Sequence, residues 1–199
     1  MGYVVITLVT LVSLFVVFKL SLFLFREVES PRYHVISKHK NMEVREYPPM
    51  IQVCVTESGN REVAIQKGFS RLAAYIFGKN STRQHIKMTA PVIQVHKKQA
   101  WSIRFILPAH LMMNELPVPM DEGLEIKEYP SQRIAVIRFS GRIQETRLEH
   151  YSGALTQFLQ SQGCELRSSM MYAFYNPPWT LPFLRRNEVW VMVDSACRF

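Results

Sequence analysis

The stretch MEVREYP at residues 42–48 recurs as LEIKEYP at residues 124–130, an offset of 82 positions. The register then continues without a gap, because QVCV at residues 52–55 falls on IAVI at residues 134–137. Two copies of about 80 residues are too few for a solenoid, which needs at least three repeats. They predict one domain with an internal pseudo-twofold arrangement.

Each copy carries the same order of structural signals. Alternating apolar and polar side chains over residues 44–47 and 51–56 predict two strands joined by a proline turn. Apolar residues at helical spacing follow over residues 62–77, with Asn60 as the N-cap candidate, and again over residues 144–162. The other predicted strands lie near residues 87–95, 101–107, 125–129, 133–139, 170–175 and 189–193.

These elements form two β-β-α-β-β units, at about residues 42–107 and 124–193, within a domain over residues 41–199. The predicted class is α+β, with about eight strands and two helices. A mostly antiparallel sheet that curls into a distorted barrel, with both helices outside it, would bury the apolar helix faces.

The first 26 residues form a segment that is distinct from the duplicated domain. Residues 3–25 are apolar except for Lys19, and at about 1.5 Å per residue they span the hydrocarbon layer of a bilayer. A cleaved signal peptide fits less well, because no basic residue precedes the run, the run is too long and no small-residue cleavage site ends it. We therefore predict a transmembrane helix, a retained single-pass anchor, over residues 1–26.

Basic residues follow this segment and none precedes it, which predicts that the C-terminal domain faces the cytosol. Residues 27–40 form a basic juxtamembrane linker that would contact anionic lipid head groups. The sequon at Asn80 would be glycosylated only on the luminal side, so we expect Asn80 to stay unmodified. Which membrane holds the anchor is left open.

The composition excludes several classes. The net charge is +8, from 24 Lys and Arg against 16 Asp and Glu, but no basic helix and no RNP-like aromatic pattern indicates nucleic-acid binding. The three cysteines, Cys54, Cys164 and Cys197, show no C-x-x-C spacing. This predicts no disulfide framework and favours a reducing compartment.

The sequence contains no H-E-x-x-H, no G-x-S-x-G and no glycine-rich phosphate loop. Two segments are nevertheless unusual: KMTAPVI at residues 87–93, and YNPPWTLPFLRRNEVWVMV at residues 175–193. They suit an aromatic, proline-lined pocket edge next to bases, which would accept a flat apolar acid. The alternative is that these residues only close the barrel.

The same two segments carry a family resemblance. MTAPV at residues 88–92 and YNPPWTLPFLRRNEVW at residues 175–190 resemble the marks of the SOUL haem-binding family, and residues 68–80 look like that family's first helix. The resemblance covers about residues 33–193 and leaves the N-terminal anchor outside. It implies a duplicated barrel-like α+β fold.

The resemblance also implies reversible, non-catalytic binding of haem or another tetrapyrrole. Such binding needs a groove for the macrocycle and bases for its propionates. The implied haem groove lies on the first helix and comprises Lys67, Phe69, Arg71, Leu72, Ala73 and Ile76. The alternative makes the four apolar residues core and the two bases solvated surface.

One position departs from the family pattern. Glu46 stands where some members carry a histidine proposed as an iron ligand, and a carboxylate is a poor axial ligand for haem iron. We therefore expect haem to be held without a strong axial protein ligand, with His39 and His85 as back-up candidates. No other metal site is expected.

The sequence also allows a second interpretation of the function, a membrane-tethered interaction module of the same fold that has lost haem binding and binds a protein or lipid partner. An enzyme acting on a hydrophobic small molecule ranks last.

Overall fold

The computed structural model describes residues 28–199, so the predicted anchor lies outside the described residues. No helix within residues 28–199 is long and apolar enough to cross a membrane.

The fold is α+β, as predicted, with one curled antiparallel sheet and two helices. The strands are β1 (His34–His39), β2 (Met42–Tyr47), β3 (Met50–Ser58), β4 (Val92–Lys97), β5 (Ala100–Ile106), β6 (Glu125–Tyr129), β7 (Gln132–Phe139), β8 (Met171–Phe174) and β9 (Asn187–Met192). The helices are α1 (Arg61–Ile76) and α2 (Glu145–Ser161), and short 3-10 helices lie at Met113–Glu115 and Pro182–Leu184. After β1, the order β-β-α-β-β occurs twice.

The sheet is a curled, open half-barrel, in line with the mostly antiparallel sheet that we expected to curl into a distorted barrel. Its strand order is β1-β2-β7-β9-β8-β4-β5-β3-β6, so β1 and β6 are edge strands that do not pair with each other. Every neighbouring pair is antiparallel.

Strand β1 lies within the segment that the sequence analysis assigned to the linker at residues 27–40. It pairs with β2, with His34 opposite Glu46 and His39 opposite Met42. Charged side chains are common on edge strands because they discourage pairing with another chain. The basic residues that indicated a linker are therefore compatible with a strand at the edge of the sheet.

Helix α1 begins at the predicted cap, where the Asn60 side chain accepts a hydrogen bond from the Val63 amide at 3.0 Å. Its buried residues pack on β3 and β5, and at Gly68 a Cβ atom would lie 2.5 Å from the Ile103 side chain. Glycine therefore permits the close approach of helix and sheet at this point. Helix α2 packs on the other half of the same sheet face, with Leu155 fully buried.

The expectation that the cysteines form no disulfide framework does not hold for one pair. Cys164, which follows α2, forms a disulfide with Cys197 near the C-terminus, and their Cα atoms are 4.9 Å apart. Cys54 is free and buried. The two paired cysteines are 33 residues apart, and only the fold brings them together, so local spacing could not indicate the bond.

Candidate functional site

The RRNEVW segment contributes to a buried ionic cluster on the sheet face opposite the helices. Glu188 is completely buried, and its carboxylate accepts hydrogen bonds from Arg45, Tyr175, Arg186 and Trp190 at 2.6 to 3.2 Å. We call these five residues the inner-face cluster. Arg186, Glu188 and Trp190 alternate along the chain, which places all three side chains on one face of β9 and its entry.

The Glu188 carboxylate at the centre of the inner-face cluster is closed to solvent and has no spare acceptor, although Arg186 at the edge of the cluster keeps a side chain that is 25% exposed. Burial by itself would raise the pKa of Glu188, but the guanidinium groups of Arg45 and Arg186 together hold it below its ordinary value. The carboxylate is therefore ionised and fully bonded. Because its oxygens are committed to these donors, we assign the cluster to the stability of the half-barrel rather than to ligand chemistry.

The structure divides the predicted haem groove on α1 into buried and accessible parts. Leu72 and Ile76 are 0% and 1% exposed and belong to the core between α1 and the sheet, so the core alternative holds for them. Ala73 is half-buried. Phe69 is 37% exposed and packs edge-on against Phe105, with 5.2 Å between ring centroids. Of the four apolar residues, Phe69 offers the largest accessible surface.

The two predicted bases lie on one side of α1, as their spacing predicts, and both are paired with carboxylates. Lys67 Nζ lies 2.6 Å from one oxygen of Glu57, and Arg71 Nη1 lies 2.5 Å from the other. Arg71 also donates twice to Asp121, at 2.5 and 2.7 Å. Lys67 keeps an exposed side chain and can turn toward a ligand, whereas Arg71 is held from two sides.

The pairing of Arg71 with Asp121 makes the free energy of unfolding depend on pH. Hydrogen bonds from Arg71 lower the pKa of Asp121 from 3.8 to about 2. Since the folded chain holds this proton less tightly than the unfolded chain, the contribution of Asp121 is complete above pH 3.8 and is lost as the pH falls toward 2.

We therefore expect the free energy of unfolding of Asp121→Asn to fall less steeply between about pH 4 and pH 2 than that of the unchanged chain. Urea unfolding followed by far-UV circular dichroism at several pH values would measure this slope for both chains. Equal slopes for the variant and the unchanged chain would show that this ion pair does not form.

A cavity of about 740 Å³ lies elsewhere, between residues 29–32 and the loop at residues 107–113. That volume is within the range of small-molecule sites. Its walls include Met50 and Met112, with Arg32 and His110 as basic groups. No local sequence pattern predicts this cavity, because its walls come from separate segments of the chain. The apolar residues 111–113 are the one local feature of its walls that the sequence shows.

Residue Glu29 fixes one wall of this cavity. Its backbone carbonyl accepts a hydrogen bond from the Ala90 amide at 2.8 Å, and its carboxylate accepts one from the Ala109 amide at 3.0 Å. The segment that precedes β1 is therefore attached to the loop that follows β5.

The candidate iron ligands do not converge. Glu46 is exposed and lies 3.8 Å from Arg133, while the His39 ring stacks on Phe158 with 5.0 Å between centroids. His85 lies beside the C-terminal end of α1, where it pairs with Phe77 in an isolated bridge. In the part of the chain that the structure describes, no group of three or more His, Cys, Asp or Glu side chains is arranged to hold a metal ion.

Comparisons with known proteins identify the family. Residues 28–192 match the family described as SOUL heme-binding protein. The chain is 30% identical to heme-binding protein 2 of Homo sapiens over 159 residues, which cover 75% of this chain and 77% of the human protein. It is 26% identical to heme-binding protein 1 of Sus scrofa over 183 residues, which cover 85% of this chain and 95% of the pig protein.

The solved C-terminal domain of EcmrR has a similar fold, with a TM-score of 0.59 at 11% identity. That likeness covers 81% of this chain and 98% of the EcmrR domain, and at this identity it concerns the fold alone. The family match, in contrast, is a match of the sequence itself, and over residues 28–192 it extends from before β1 to the end of β9. This chain belongs to the SOUL heme-binding protein family.

Proposed function

We propose that this protein binds haem or a related tetrapyrrole reversibly and without catalysis, as a membrane-anchored carrier or buffer whose domain faces the cytosol. Family membership over residues 28–192 is the observation that carries the binding function. The apolar segment at residues 3–25 supports the anchor. Most of the haem surface is apolar, so a carrier held at a bilayer would lie where free haem partitions.

We place the macrocycle against the accessible face of α1. Phe69 would contact the ring, and the ammonium of Lys67, whose side chain is 64% exposed, would reach a propionate. Arg71 would hold Glu57 in place rather than bind the ligand, because it is already bonded to Glu57 and Asp121.

This placement predicts that Phe69→Ser weakens haem binding about 10-fold or more, since a buried aromatic contact contributes roughly 1.5–3 kcal/mol. Lys67→Gln should weaken it only a few-fold, because an exposed ion pair contributes about 0.2–1 kcal/mol. Phe77→Ser is the matched control, since Phe77 is an exposed phenylalanine at the end of the same helix. Visible-absorption titration of the full chain in nanodiscs would measure the affinities.

A second comparison tests the alternative location. Met112→Ser changes a wall of the cavity beside residues 29–32 and leaves α1 untouched. Our placement predicts unchanged affinity for this variant. Weaker binding by Met112→Ser together with unchanged binding by Phe69→Ser would move the haem to that cavity.

We infer that the haem iron receives no strong axial ligand from the protein. The exposed position of Glu46 beside Arg133 supports this inference, as does the stacking of His39 on Phe158. Replacing His39 or His85 with alanine should therefore leave the Soret maximum of the bound haem where it was. A shift with either variant would identify that histidine as the ligand.

The second candidate function is a membrane-tethered interaction module that has lost haem binding. The pairing of Lys67 and Arg71 with carboxylates favours it, because the charge of each base is already compensated within the fold and a propionate would have to compete with Glu57 for Lys67. The absence of a saturable haem spectrum would favour this function over the first.

Two observations bear on the orientation of the domain, and they oppose each other. The basic residues after the apolar segment favour the cytosol, whereas the Cys164–Cys197 bond favours an oxidising compartment. We keep the cytosolic placement and propose protease protection as its test, with sealed membranes whose cytosolic face is turned outward. Digestion of the domain by added protease would support it, and protection until detergent is added would contradict it.

The Asn80 sequon does not provide this test in the folded domain. Asn80 is 1% exposed, and its amide nitrogen donates to the carbonyls of Tyr75 and Gln84 at 2.9 and 2.8 Å. The nitrogen that would carry a glycan is thus bonded within the fold, and an unmodified Asn80 is compatible with either side of the membrane.

A further inference from the structure

The segment between β8 and β9 exposes large apolar side chains to solvent. Trp179, Leu181, Phe183 and Leu184 are 74%, 56%, 70% and 50% exposed. We call residues 177–184 the apolar loop. Single exposed apolar residues are normal on protein surfaces, but four large ones within six positions are typical of an interaction site.

Hydrogen bonds from neighbouring residues to carbonyls of the apolar loop hold its backbone in this conformation. The Arg185 side chain donates to the carbonyls of Thr180 and Pro178 at 2.8 and 2.5 Å. The Pro182 carbonyl accepts from the Gly141 amide at 2.8 Å. The loop therefore directs its polar groups inward, and the outward position of the apolar side chains is built into its structure.

The base of the apolar loop is equally well fixed. The Asn176 side chain accepts a hydrogen bond from the Arg186 amide at 2.6 Å, and Arg186 belongs to the inner-face cluster. The base of the loop is thereby linked, through Arg186, to the completely buried carboxylate of Glu188, which gives the apolar tip a firm support.

Arginine residues lie on the segments next to the apolar loop. Residues 175–186 include no Asp or Glu, and Arg142 and Arg147 lie on the segment that contacts the loop through Gly141. Glu145 is the nearest acidic residue along that segment. Within residues 28–199, neither Arg142, Arg147 nor Arg185 forms an ion pair with a carboxylate.

Apolar side chains next to arginines are complementary to an anionic lipid surface, whose acyl chains are apolar and whose head groups are negative. Tryptophan is enriched at the membrane interface, because its ring is apolar and its N–H can bond with water or head groups. Arginine next to an apolar tip attracts anionic head groups while the tip enters the acyl boundary.

The path of the chain brings the apolar loop close to the predicted anchor. Arg186 Nη2 lies 3.5 Å from the Tyr33 hydroxyl, and the Arg45 guanidinium lies over the Tyr33 ring at 4.3 Å from its centroid. Tyr33 follows residue 26, the predicted end of the span, by seven residues. Even when fully extended, that connection reaches only about 25 Å, so the Tyr33 backbone lies within that distance of the bilayer. The base of the loop is separated from this backbone by only two side chains in contact.

We propose that the apolar loop docks on the bilayer that holds the anchor and inserts Trp179, Leu181, Phe183 and Leu184 among its anionic head groups. The domain is then held against the membrane at two points, its N-terminal tether and this loop. The proposal rests on the anchoring part of the proposed function and does not depend on haem binding.

Trp179 provides its own probe for the test. The other two tryptophans, Trp101 and Trp190, are 5% and 1% exposed, so Trp179 is the one that reaches solvent. We would reconstitute the full chain in vesicles of phosphatidylcholine and phosphatidylserine whose phosphatidylcholine carries brominated acyl chains. Docking predicts that brominated lipid quenches the emission of Trp179, that this emission shifts to shorter wavelength, and that aqueous iodide no longer quenches it.

The control is Trp179→Phe, which keeps the apolar loop apolar and should lose the component that brominated lipid quenches. Vesicles of phosphatidylcholine alone, or added salt, should weaken the quenching, because both reduce the attraction of the arginines to the surface. Quenching of Trp179 by iodide and not by brominated lipid would overturn the proposal. Protection of Trp179 from both quenchers would also overturn it and would indicate that a protein or a small ligand covers the loop.

Extraction of the same vesicles with alkaline carbonate separates this result from the anchoring. Release of the chain by carbonate would refute the anchor, whatever Trp179 reports. Retention of the chain with an iodide-accessible Trp179 would leave the anchor in place and refute the docking alone. Leu181→Ser combined with Phe183→Ser should abolish the lipid quenching while the chain stays in the carbonate pellet.

Discussion

Replacing Arg45 with methionine is expected to lower the free energy of unfolding by about 3–5 kcal/mol. The change removes the bidentate partner of Glu188, whose carboxylate is completely buried, and leaves Arg186 as its main counter-charge. A buried ion pair contributes little net stability as a pair, but removing Arg45 leaves the buried carboxylate without its bidentate partner and with only part of its charge compensated by Arg186. Urea unfolding followed by far-UV circular dichroism would measure the loss.

Two further variants make this prediction specific to burial. Glu43→Gln also removes a carboxylate bonded to Arg45, but Glu43 is partly exposed and we expect a loss of about 1 kcal/mol or less. Arg45→Met combined with Glu188→Gln should cost less than the sum of the two single changes, because the completely buried carboxylate is then no longer present to lose its partner. An Arg45→Met variant within about 1 kcal/mol of the unchanged chain would show that the cluster is not formed.

Removal of the disulfide is the second large effect. Replacing Cys164 and Cys197 with serine should lower the free energy of unfolding by about 3–4 kcal/mol, because the bond closes a 33-residue loop in the unfolded chain. That loop contains β8 and β9, the latter of which supplies Glu188 and Trp190 to the inner-face cluster.

The matched control for this variant is Cys54→Ser, which changes the free buried cysteine and no disulfide. Thermal unfolding with and without reductant would compare the chains. Reductant should destabilise the unchanged chain and Cys54→Ser alike, and should leave the double serine variant unaffected. Equal stability of the unchanged chain with and without reductant would contradict the bond.

Local sequence patterns predicted most of the strands and both helices. The alternation in residues 44–47 and the cap at Asn60 are local signals, and the structure confirms the elements that they predicted. Strand β1 was missed because its basic residues look like a linker, and only its pairing with β2 makes it a strand. The Cys164–Cys197 bond was missed for the same reason, since it is a contact between distant parts of the chain.

The candidate site shows the same limit. The spacing of Lys67 and Arg71 predicted correctly that both lie on one side of α1. It could not reveal their partners, because Glu57 comes from β3 and Asp121 from the linker between the two halves. Whether an apolar helix residue faces the core or a ligand likewise depends on what packs against it, as the burial of Leu72 demonstrates.

The central claim is that this chain holds one tetrapyrrole. Its most direct test is a visible-absorption titration of haem into the full chain in nanodiscs, against empty nanodiscs to correct for haem that enters the lipid. We predict a saturable Soret shift that ends at one equivalent and that Phe69→Ser weakens. A spectrum that rises without saturation and matches empty nanodiscs would contradict the claim and would leave the interaction module as the function of this fold.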